Sequence, residues 1–256
     1  MSQPAARPAI RRHEWLLAGL AALVAFVVPM TVVGWLDNPS PEVRVIASPT
    51  SLSAVVIDGD SRILIVNTDD REGAGAMLGR IARPWEPRPT TLISPSDDDA
   101  AIGLWEALQR LDPTTVIVAG VPGANQLWSE IDAECNRRGI DLRYVSDRVL
   151  LSTDRLDLTV FGAPPDQPAA RGVVLHRGDV NVAFAFDPAP PPVEAQALVM
   201  NGDPAPATPS LLVTSNDNPR LPNQHELLVG ALRYVQLVIE DDAIRAFGGV
   251  LRPPAP

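Results

Sequence analysis

The chain has no lysine: all 21 of its basic residues are arginine, which excludes lysine nucleophiles and Schiff-base chemistry. Its single cysteine, Cys135, excludes an intramolecular disulfide and a zinc cluster built from cysteines. Positive charge is also in deficit, because the formal net charge is −10. This balance argues against the broad electropositive face that binding to nucleic-acid phosphates requires. We therefore do not expect a nucleic-acid partner.

Histidine is rare too, with three residues, His13, His176 and His225. His176 falls on a predicted strand and His225 near a predicted helix start, where a histidine is usually a hydrogen-bonded structural residue. No Gly-x-Ser-x-Gly motif is present that would supply a serine nucleophile for either of them. Cys135 has no good histidine partner. We therefore predict that it is a buried helix residue rather than a nucleophile.

What the chain does contain is a long apolar run, residues 15–36, which carries no charge and is interrupted only by Pro29. As a helix it would reach about 33 Å, enough for a hydrocarbon core of ~30 Å. Tryptophan stands at both ends of the run, where interfacial aromatic rings are expected. Arginines precede the run and acidic residues follow it: Arg7, Arg11, Arg12, Asp37 and Glu42. The positive-inside bias then puts the N-terminus in the cytoplasm.

This pattern predicts a single-pass signal anchor in the cell membrane, with a cytoplasmic tail over residues 1–14 and an extracytoplasmic C-terminal domain. A cleaved signal peptide and a buried core helix are the alternatives. Signal-peptide apolar regions span about 7–15 residues and end in small-x-small sites. This run is longer, and its end, Val33-Gly34-Trp35-Leu36, fits cleavage poorly. The implied partner is the membrane, with another membrane or envelope protein as a further candidate.

Beyond this run the sequence indicates a linker over residues 37–42, one domain over 43–250 and a proline-rich tail over 251–256. Short apolar runs alternate with segments of helical periodicity. The predicted strands are Val43–Ala47, Ala54–Ile57, Ile63–Val66, Thr91–Ile93, Thr115–Ala119, Leu142–Val145, Val149–Leu151, Leu156–Phe161, Val173–His176, Val180–Phe186, Leu211–Thr214, Val235–Ile239 and Ala243–Phe247. The predicted helices are Gly73–Arg83, Ala100–Leu111, Asn125–Arg138 and Gln224–Leu232. Strands first and helices outside in each half predict two packed sheets covered on both sides, a four-layer αββα sandwich.

The loop between one predicted strand and the next helix reads Ser94-Pro95-Ser96-Asp97-Asp98-Asp99. Together with the residues around it, this loop resembles the stretch Leu-Thr-His-x-His-x-Asp-His-x-x-Gly-Leu of the metallo-β-lactamase-like domain at the C-terminus of ComEC-type DNA-uptake channel proteins. Ser94, Ser96 and Asp99 stand where that family has histidines, and Asp98 keeps its aspartate. One of four metal-ligand positions is therefore retained.

Three further stretches carry the resemblance, which covers the chain from about residue 43 to its end. Residues 64–69 are similar to a family strand that ends in Leu-x-Asp-Thr-Gly. Residues 182–187 are similar to a later strand that ends in Gly-Asp, and Asp187 keeps the aspartate. Residues 211–216 are similar to Leu-Lys-Val-x-His-His, with Ser215 and Asn216 in place of both histidines.

The resemblance implies hydrolysis of phosphodiester or similar bonds by a hydroxide that bridges two metal ions, held by several imidazoles and a carboxylate. No histidine of this chain occupies such a position. We therefore expect a catalytically inactive relative that acts as a binding or scaffold module without a cofactor. The alternative is a metal-dependent hydrolase, phosphodiesterase-like or nuclease-like, whose Mg²⁺ or Ca²⁺ has oxygen ligands from Asp98, Asp99 and Asp187. A role as an accessory in DNA uptake is a weaker hypothesis, because the chain is acidic.

Three loops also have simpler interpretations. Ser96 or Asp97 is expected to cap the helix that follows, and Asp98 and Asp99 to oppose its dipole from the first turn. Gly120-Val121-Pro122-Gly123 lacks the full Gly-x-Gly-x-x-Gly pattern, so an ordinary strand-to-helix loop is favoured over a nucleotide site. The segment Pro188–Pro209 fits a long extended loop better than a proline-rich recruitment motif.

Overall fold

Strands dominate the part of the chain that the computed structural model describes, which comprises residues 40–47, 52–68, 79, 87–163, 170–187, 189–200, 209–214, 225–229 and 234–252. The predicted membrane segment, residues 15–36, lies outside these ranges. So does the predicted helix Gly73–Arg83, apart from Gly79, which is helical. No helix within the described ranges combines the length and the apolar character that crossing a bilayer requires.

The described elements follow each other in this order: β1 (Glu42–Ala47), β2 (Leu52–Asp58), β3 (Ser61–Ile65), β4 (Thr91–Pro95), α1 (Asp98–Arg110), β5 (Thr115–Ala119), α2 (Gln126–Arg138), β6 (Asp141–Val145), β7 (Arg148–Ser152), β8 (Asp157–Phe161), β9 (Gly172–Arg177), β10 (Val180–Ala185), β11 (Ala197–Val199), β12 (Leu211–Thr214), β13 (His225–Leu228), β14 (Tyr234–Ile239), β15 (Ile244–Phe247) and β16 (Val250–Arg252). Most of the predicted strands are therefore present within one or two residues of their expected ends.

These strands form two eight-stranded sheets. The first has the order β15-β14-β1-β2-β3-β4-β5-β6, and its strands β3 to β6 run parallel. The second has the order β16-β13-β12-β11-β10-β9-β8-β7, and its strands β10 to β13 run parallel. Parallel neighbours send their carboxyl ends to the same edge, so the loops after β4 and β5 open side by side.

The two sheets pack face to face through alternate side chains. Val43 and Val45 of β1 and Val173 and Leu175 of β9 belong to one buried apolar cluster, while the residues between them face away from it. This period of two is the reason that short β-branched runs form strands here. Full burial of each such side chain contributes about 1.5–3 kcal/mol. The predicted pair of packed sheets is confirmed.

Helices α1 and α2 cover the outer face of the first sheet. Leu104 and Leu108 of α1 are fully buried there, at the spacing that puts residues on one helix face. α2 begins where the side-chain oxygen of Asn125 accepts a hydrogen bond from the Leu127 N–H at 2.9 Å, and it ends at Gly139, whose φ is 70°. Both helices were expected from the sequence.

The predicted helix Gln224–Leu232 is wrong, because His225–Leu228 forms strand β13. Glutamate and leucine favour helices, yet this segment pairs with β12 on one side and with β16 on the other. Leu227 and Val229 are buried in the core between the sheets. Pairing and alternating burial outweigh an intrinsic helical preference that is worth less than about 1 kcal/mol per residue.

This correction bears on the predicted four layers. Within the described residues, no helix covers the outer face of the second sheet, and Val193 and Ala195 of an irregular segment pack there instead. One helical layer and two sheets of the predicted αββα arrangement are therefore described. Strand β16 carries the sheet to Arg252, into the segment that the sequence predicts as a proline-rich tail.

Candidate functional site

Four segments from the two sheets meet at one end of the sandwich. Ser96 and Asp97 follow β4, and Gly120 follows its parallel neighbour β5. In the second sheet, Gly172 of β9 pairs with Ala185 of β10, so the residues just outside this pair lie beside each other. Just outside it, the N–H of Phe186 donates to Arg171 O at 3.0 Å, and Asp187 is the next residue along the chain.

The guanidinium group of Arg171 joins these segments. Its Nε donates to Asp187 Oδ2 at 2.9 Å, and its Nη2 donates to Asp187 Oδ1 at 2.6 Å. Its Nη1 donates to Ser96 Oγ at 3.0 Å, and its Nη2 also donates to the two carboxylate oxygens of Asp97 at 2.9 and 3.1 Å. The backbone N–H of Arg171 donates to Asp187 Oδ2 at 3.0 Å. We call these four residues the Arg171 cluster.

The Arg171 cluster is largely shielded from solvent. The side chain of Arg171 is 14% exposed and that of Asp187 is 20% exposed, whereas that of Asp97 is 50% exposed. The pKa of Arg171 lies above its ordinary value, chiefly because the guanidinium donates to Asp187; burial opposes this rise, and Asp97 adds to it. Arg171 is therefore a fixed positive charge that ties a loop of one sheet, through Ser96 and Asp97, to a strand end of the other, through Asp187.

The backbone of Gly120 packs directly against Ser96 and Arg171 of the cluster. Its φ is 110°, a conformation that side chains disfavour, and its N–H donates to Val145 O at 2.8 Å. A Cβ at this position would lie 2.3 Å from Ser96 Oγ and 3.4 Å from Arg171 Cδ. Only glycine lets the backbone after β5 approach the cluster this closely.

Replacing Gly120 with alanine should lower the free energy of unfolding by about 2 kcal/mol, because the new methyl group displaces Ser96 Oγ and strains the backbone. Urea unfolding followed by tryptophan fluorescence measures the change. Gly123→Ala in the same loop is the matched control, since the nearest atom to its Cβ is Asp98 Oδ1 at 3.9 Å. Equal stability of both variants would show that close packing at Gly120 is unimportant.

The structure brings some of the predicted motif residues together and places others elsewhere. Ser96 and Asp187 both belong to the Arg171 cluster. Ser94 is buried in β4, and its hydroxyl donates to Pro95 O at 3.2 Å. Asp98 and Asp99 lie exposed in the first turn of α1, as expected for carboxylates near a helix N-terminus. Ser215 and Asn216 lie outside the described residues.

The expectation that Ser96 or Asp97 caps α1 is wrong. Asp97 holds the N-cap position in an extended conformation, but its side chain makes no capping hydrogen bond. Its carboxylate accepts from Arg171 instead, and Ser96 Oγ does the same. An ionic hydrogen bond to a guanidinium is roughly twice as strong as a neutral one, so the arginine outcompetes the helix for these side chains.

The remaining candidates have structural partners. His176 Nε2 lies 3.2 Å from Thr159 Oγ1, and His176 Nδ1 lies 2.7 Å from Asn181 Oδ1 on the outer face of the second sheet. His225 is exposed at the start of β13. Cys135 is 1% exposed inside α2, and burial raises its pKa to about 11, so the prediction of a buried helix residue is confirmed.

Arg171 is the residue that sequence reasoning missed. It lies in a segment rich in alanine and proline, where arginine attracts no attention. A signal was nevertheless present in the predicted β9–β10 hairpin, which turns at Arg177-Gly178-Asp179. Counting along both strands from that turn puts Arg171 opposite Phe186, one residue from Asp187.

No protein-family model matches the chain, and no curated protein sequence matches it. Among solved structures, one described as "Rm3 metallo-beta-lactamase" is 15% identical with a TM-score of 0.41, over 56% of this chain and 58% of that chain. Another, described as "Peroxy diiron species of chemotaxis sensor ODP", is 12% identical with a TM-score of 0.37, over 55% of this chain and 60% of that chain. The chain thus spans less than two thirds of either structure, and the likeness concerns the outline of the fold alone.

The metal ions that the sequence resemblance implies do not fit the Arg171 cluster. Both carboxylate oxygens of Asp187 accept from the guanidinium, and Ser96 Oγ accepts from it as well. A divalent cation in reach of these oxygens would also be repelled by the charge of Arg171. Within the described ranges, no three histidine, cysteine, aspartate or glutamate side chains group as metal ligands.

Proposed function

We propose that residues 43–250 form a metallo-β-lactamase-like domain that acts by binding or scaffolding rather than by metal-dependent hydrolysis. One observation carries this proposal: the guanidinium of Arg171 donates to Ser96, Asp97 and Asp187, the loop and strand end to which the sequence resemblance assigns metal ligands. An arginine is permanently charged and has five fixed donors, so it satisfies such oxygen atoms without an ion.

The finer resemblance, to the C-terminal domain of ComEC-type proteins, belongs to the same proposal. It is supported by the positions of two motif stretches, since the loop Ser94–Asp99 and the strand end at Asp187 lie at the same end of the sandwich. The proposed setting is the outer surface of a cell membrane, with residues 15–36 as the anchor and the N-terminus in the cytoplasm. The apolar run and the arginines before it support this placement.

The full chain in nonionic detergent should show no hydrolysis of bis(p-nitrophenyl) phosphate above the buffer rate when Zn²⁺, Mn²⁺ or Mg²⁺ is added. Calorimetric titration with the same ions should give no saturable heat from the Arg171 cluster. The physical reason is that the guanidinium of Arg171 already donates to the oxygen atoms of Asp97 and Asp187 that an ion would need. Absorbance at 400 nm (about the nitrophenolate maximum) and the calorimeter supply the two readouts.

Two variants distinguish hydrolysis by this chain from hydrolysis by a contaminating enzyme. Asp187→Ala removes the acceptor at the centre of the cluster, and Asp179→Ala removes an exposed carboxylate in the β9–β10 turn. Cation-dependent turnover that disappears in Asp187→Ala but persists in Asp179→Ala would reject the proposal. It would establish instead the alternative, a hydrolase with oxygen ligands that include Asp187.

A further inference from the structure

Strand β7 is an open edge of the second sheet. Among the strands that the structure describes, β7 pairs only with β8, and Leu150 at its centre is 70% exposed. Its neighbours Val149 and Leu151 are only partly buried against the core between the sheets. Edge strands are usually blunted by proline, by a bulge or by charged side chains. β7 has no proline, its register with β8 is unbroken, and its one charged residue is Arg148.

The hydrogen bonds at both ends of β7 show which backbone groups point outward. Gly162 N–H donates to Asp147 O at 2.7 Å, and Thr153 N–H donates to Leu156 O at 2.9 Å. Because these groups alternate along an antiparallel strand, the odd-numbered residues bond to β8. The N–H and C=O groups of Arg148, Leu150 and Ser152 therefore face the open edge.

We propose that this edge binds a second copy of the chain, with the two β7 strands antiparallel about a twofold axis at Leu150. In that register, Leu150 faces Leu150 of the other copy, and Arg148 faces Ser152. The outward N–H and C=O groups of Arg148, Leu150 and Ser152 then form hydrogen bonds with the same groups of the other copy, because residues that point toward each other across an antiparallel pair exchange both bonds. A register shifted by one residue would meet none of them.

Charge complementarity selects a second copy as the occupant. Ser152 Oγ donates to Asp157 Oδ1 at 2.7 Å, so the carboxylate of Asp157 lies on the same face as Ser152, one strand further in. The exposed Arg148 of one copy faces Ser152 of the other, and its long side chain extends toward Asp157 behind it. The twofold axis gives this contact twice.

The inward-facing side chains support the same occupant. On the core side of β7, Val149 of each copy lies opposite Leu151 of the other, because both stand one residue from the twofold axis. Val149 and Leu151, which are partly buried in each copy, are then covered by the same two side chains of the other copy. None of these residues belongs to the Arg171 cluster, so the dimer is independent of the proposed function.

Disulfide cross-linking of the full chain in nonionic detergent tests the register. Leu150→Cys should give a covalent dimer on mild oxidation, because Cα atoms of a hydrogen-bonded antiparallel pair lie about 5.5 Å apart, within the range of a disulfide. Ser152→Cys is the matched control on the same face, since its two copies would be about 14 Å apart. Wild type should stay uncross-linked, because Cys135 is 1% exposed.

A mixture of Arg148→Cys and Ser152→Cys chains should cross-link, whereas neither variant should cross-link alone. This result separates the proposed strand pairing from association through any other part of the chain. Slow cross-linking of Leu150→Cys, no faster than that of Ser152→Cys, would overturn the proposal. So would cross-linking of Ser152→Cys by itself at the rate of the mixture.

Charge reversal provides a second, equilibrium test by analytical ultracentrifugation. Arg148→Glu and Asp157→Arg should each weaken dimerisation about tenfold, because each puts like charges together twice per dimer. The double variant Arg148→Glu/Asp157→Arg should return to the affinity of wild type. Circular dichroism checks that the variants remain folded. Unchanged affinity in both single variants would reject the proposed register.

Discussion

Replacing Arg171 with alanine should lower the free energy of unfolding by about 3 kcal/mol, as expected when one partner of a mostly buried ion pair is removed. The substitution leaves the Asp187 side chain, 20% exposed, without its guanidinium, although the backbone N–H of residue 171 still donates to it. The exposed Asp97 adds little to this loss, because water replaces the arginine there. Urea unfolding of the full chain in nonionic detergent gives the value.

Two control variants test whether the loss comes from the ion pairs and hydrogen bonds of Arg171. Arg171→Lys should recover part of the loss, because an ammonium keeps the charge but not the fork that serves Ser96 and Asp187 together. Arg143→Ala removes an ion pair with Asp141 in which both side chains are about half exposed, and it should lower the free energy of unfolding far less than Arg171→Ala, because solvent screens that pair. If Arg171→Ala lowered the free energy of unfolding as little as Arg143→Ala, the contacts of Arg171 would no longer support the proposed function.

Replacing Asp58 with alanine should have a still larger effect, about 4 kcal/mol, because its carboxylate is the most deeply buried charge described. Its side chain is 0% exposed. Asp58 Oδ2 accepts from Thr153 Oγ1 at 2.6 Å and from the N–H groups of Arg155 and Leu156 at 2.6 and 3.2 Å. Asp58 Oδ1 accepts from Arg155 Nε at 3.0 Å. Removing the carboxylate leaves these donors with an empty space among them.

Asp60→Ala is the matched control for Asp58, because Asp60 lies in the same hairpin turn and is exposed. It should change the free energy of unfolding by no more than ~0.5 kcal/mol. The same denaturation measurement applies to both variants. A loss below 1 kcal/mol in Asp58→Ala would mean that solvent or a rearranged β7–β8 turn satisfies these donors.

The two predicted losses concern opposite ends of the sandwich. Asp58 pairs with Ser61 at the start of β3, whereas the Arg171 cluster lies beyond the carboxyl end of β4, which runs parallel to β3. Each site connects the two sheets, so the sheets are tied by a buried anion at one end and by a buried cation at the other. The double variant Arg171→Ala/Asp58→Ala should therefore lose the sum of the single losses within about 0.5 kcal/mol.

Local patterns in the sequence were sufficient for much of the architecture. The strand Thr115–Ala119 was predicted with its observed bounds, because five β-branched or small residues between turn signals have few other uses. The helix ending at Arg138 was equally clear, because Asn125 and Gly139 mark its two ends. The helix predicted over Gln224–Leu232 was wrong because its residues favour a helix locally. Residues 225–228 form a strand because they pair with β12 and β16, which lie far from them in the sequence or follow them.

The candidate site was predictable in part. Asp187 and the loop Ser94–Asp99 could be singled out from their order along the chain, and both end up at the same end of the sandwich. The role of Asp97 was misjudged, because a helix cap is a local interaction and its actual partner, Arg171, is 74 residues away. Charge attraction of this kind depends on distance in space, which the order of residues does not give.

The amino-acid sequence by itself determined the alternating strands, the two helices of the first sheet and the scarcity of histidine, because periodicity, end signals and composition are local properties. Only the tertiary structure decided what fills the place between Ser96, Asp97 and Asp187. Four segments from two sheets meet there, and a guanidinium satisfies their oxygen atoms together. The physical reason is that buried carboxylates require a compensating charge, and folding determines which residue supplies it.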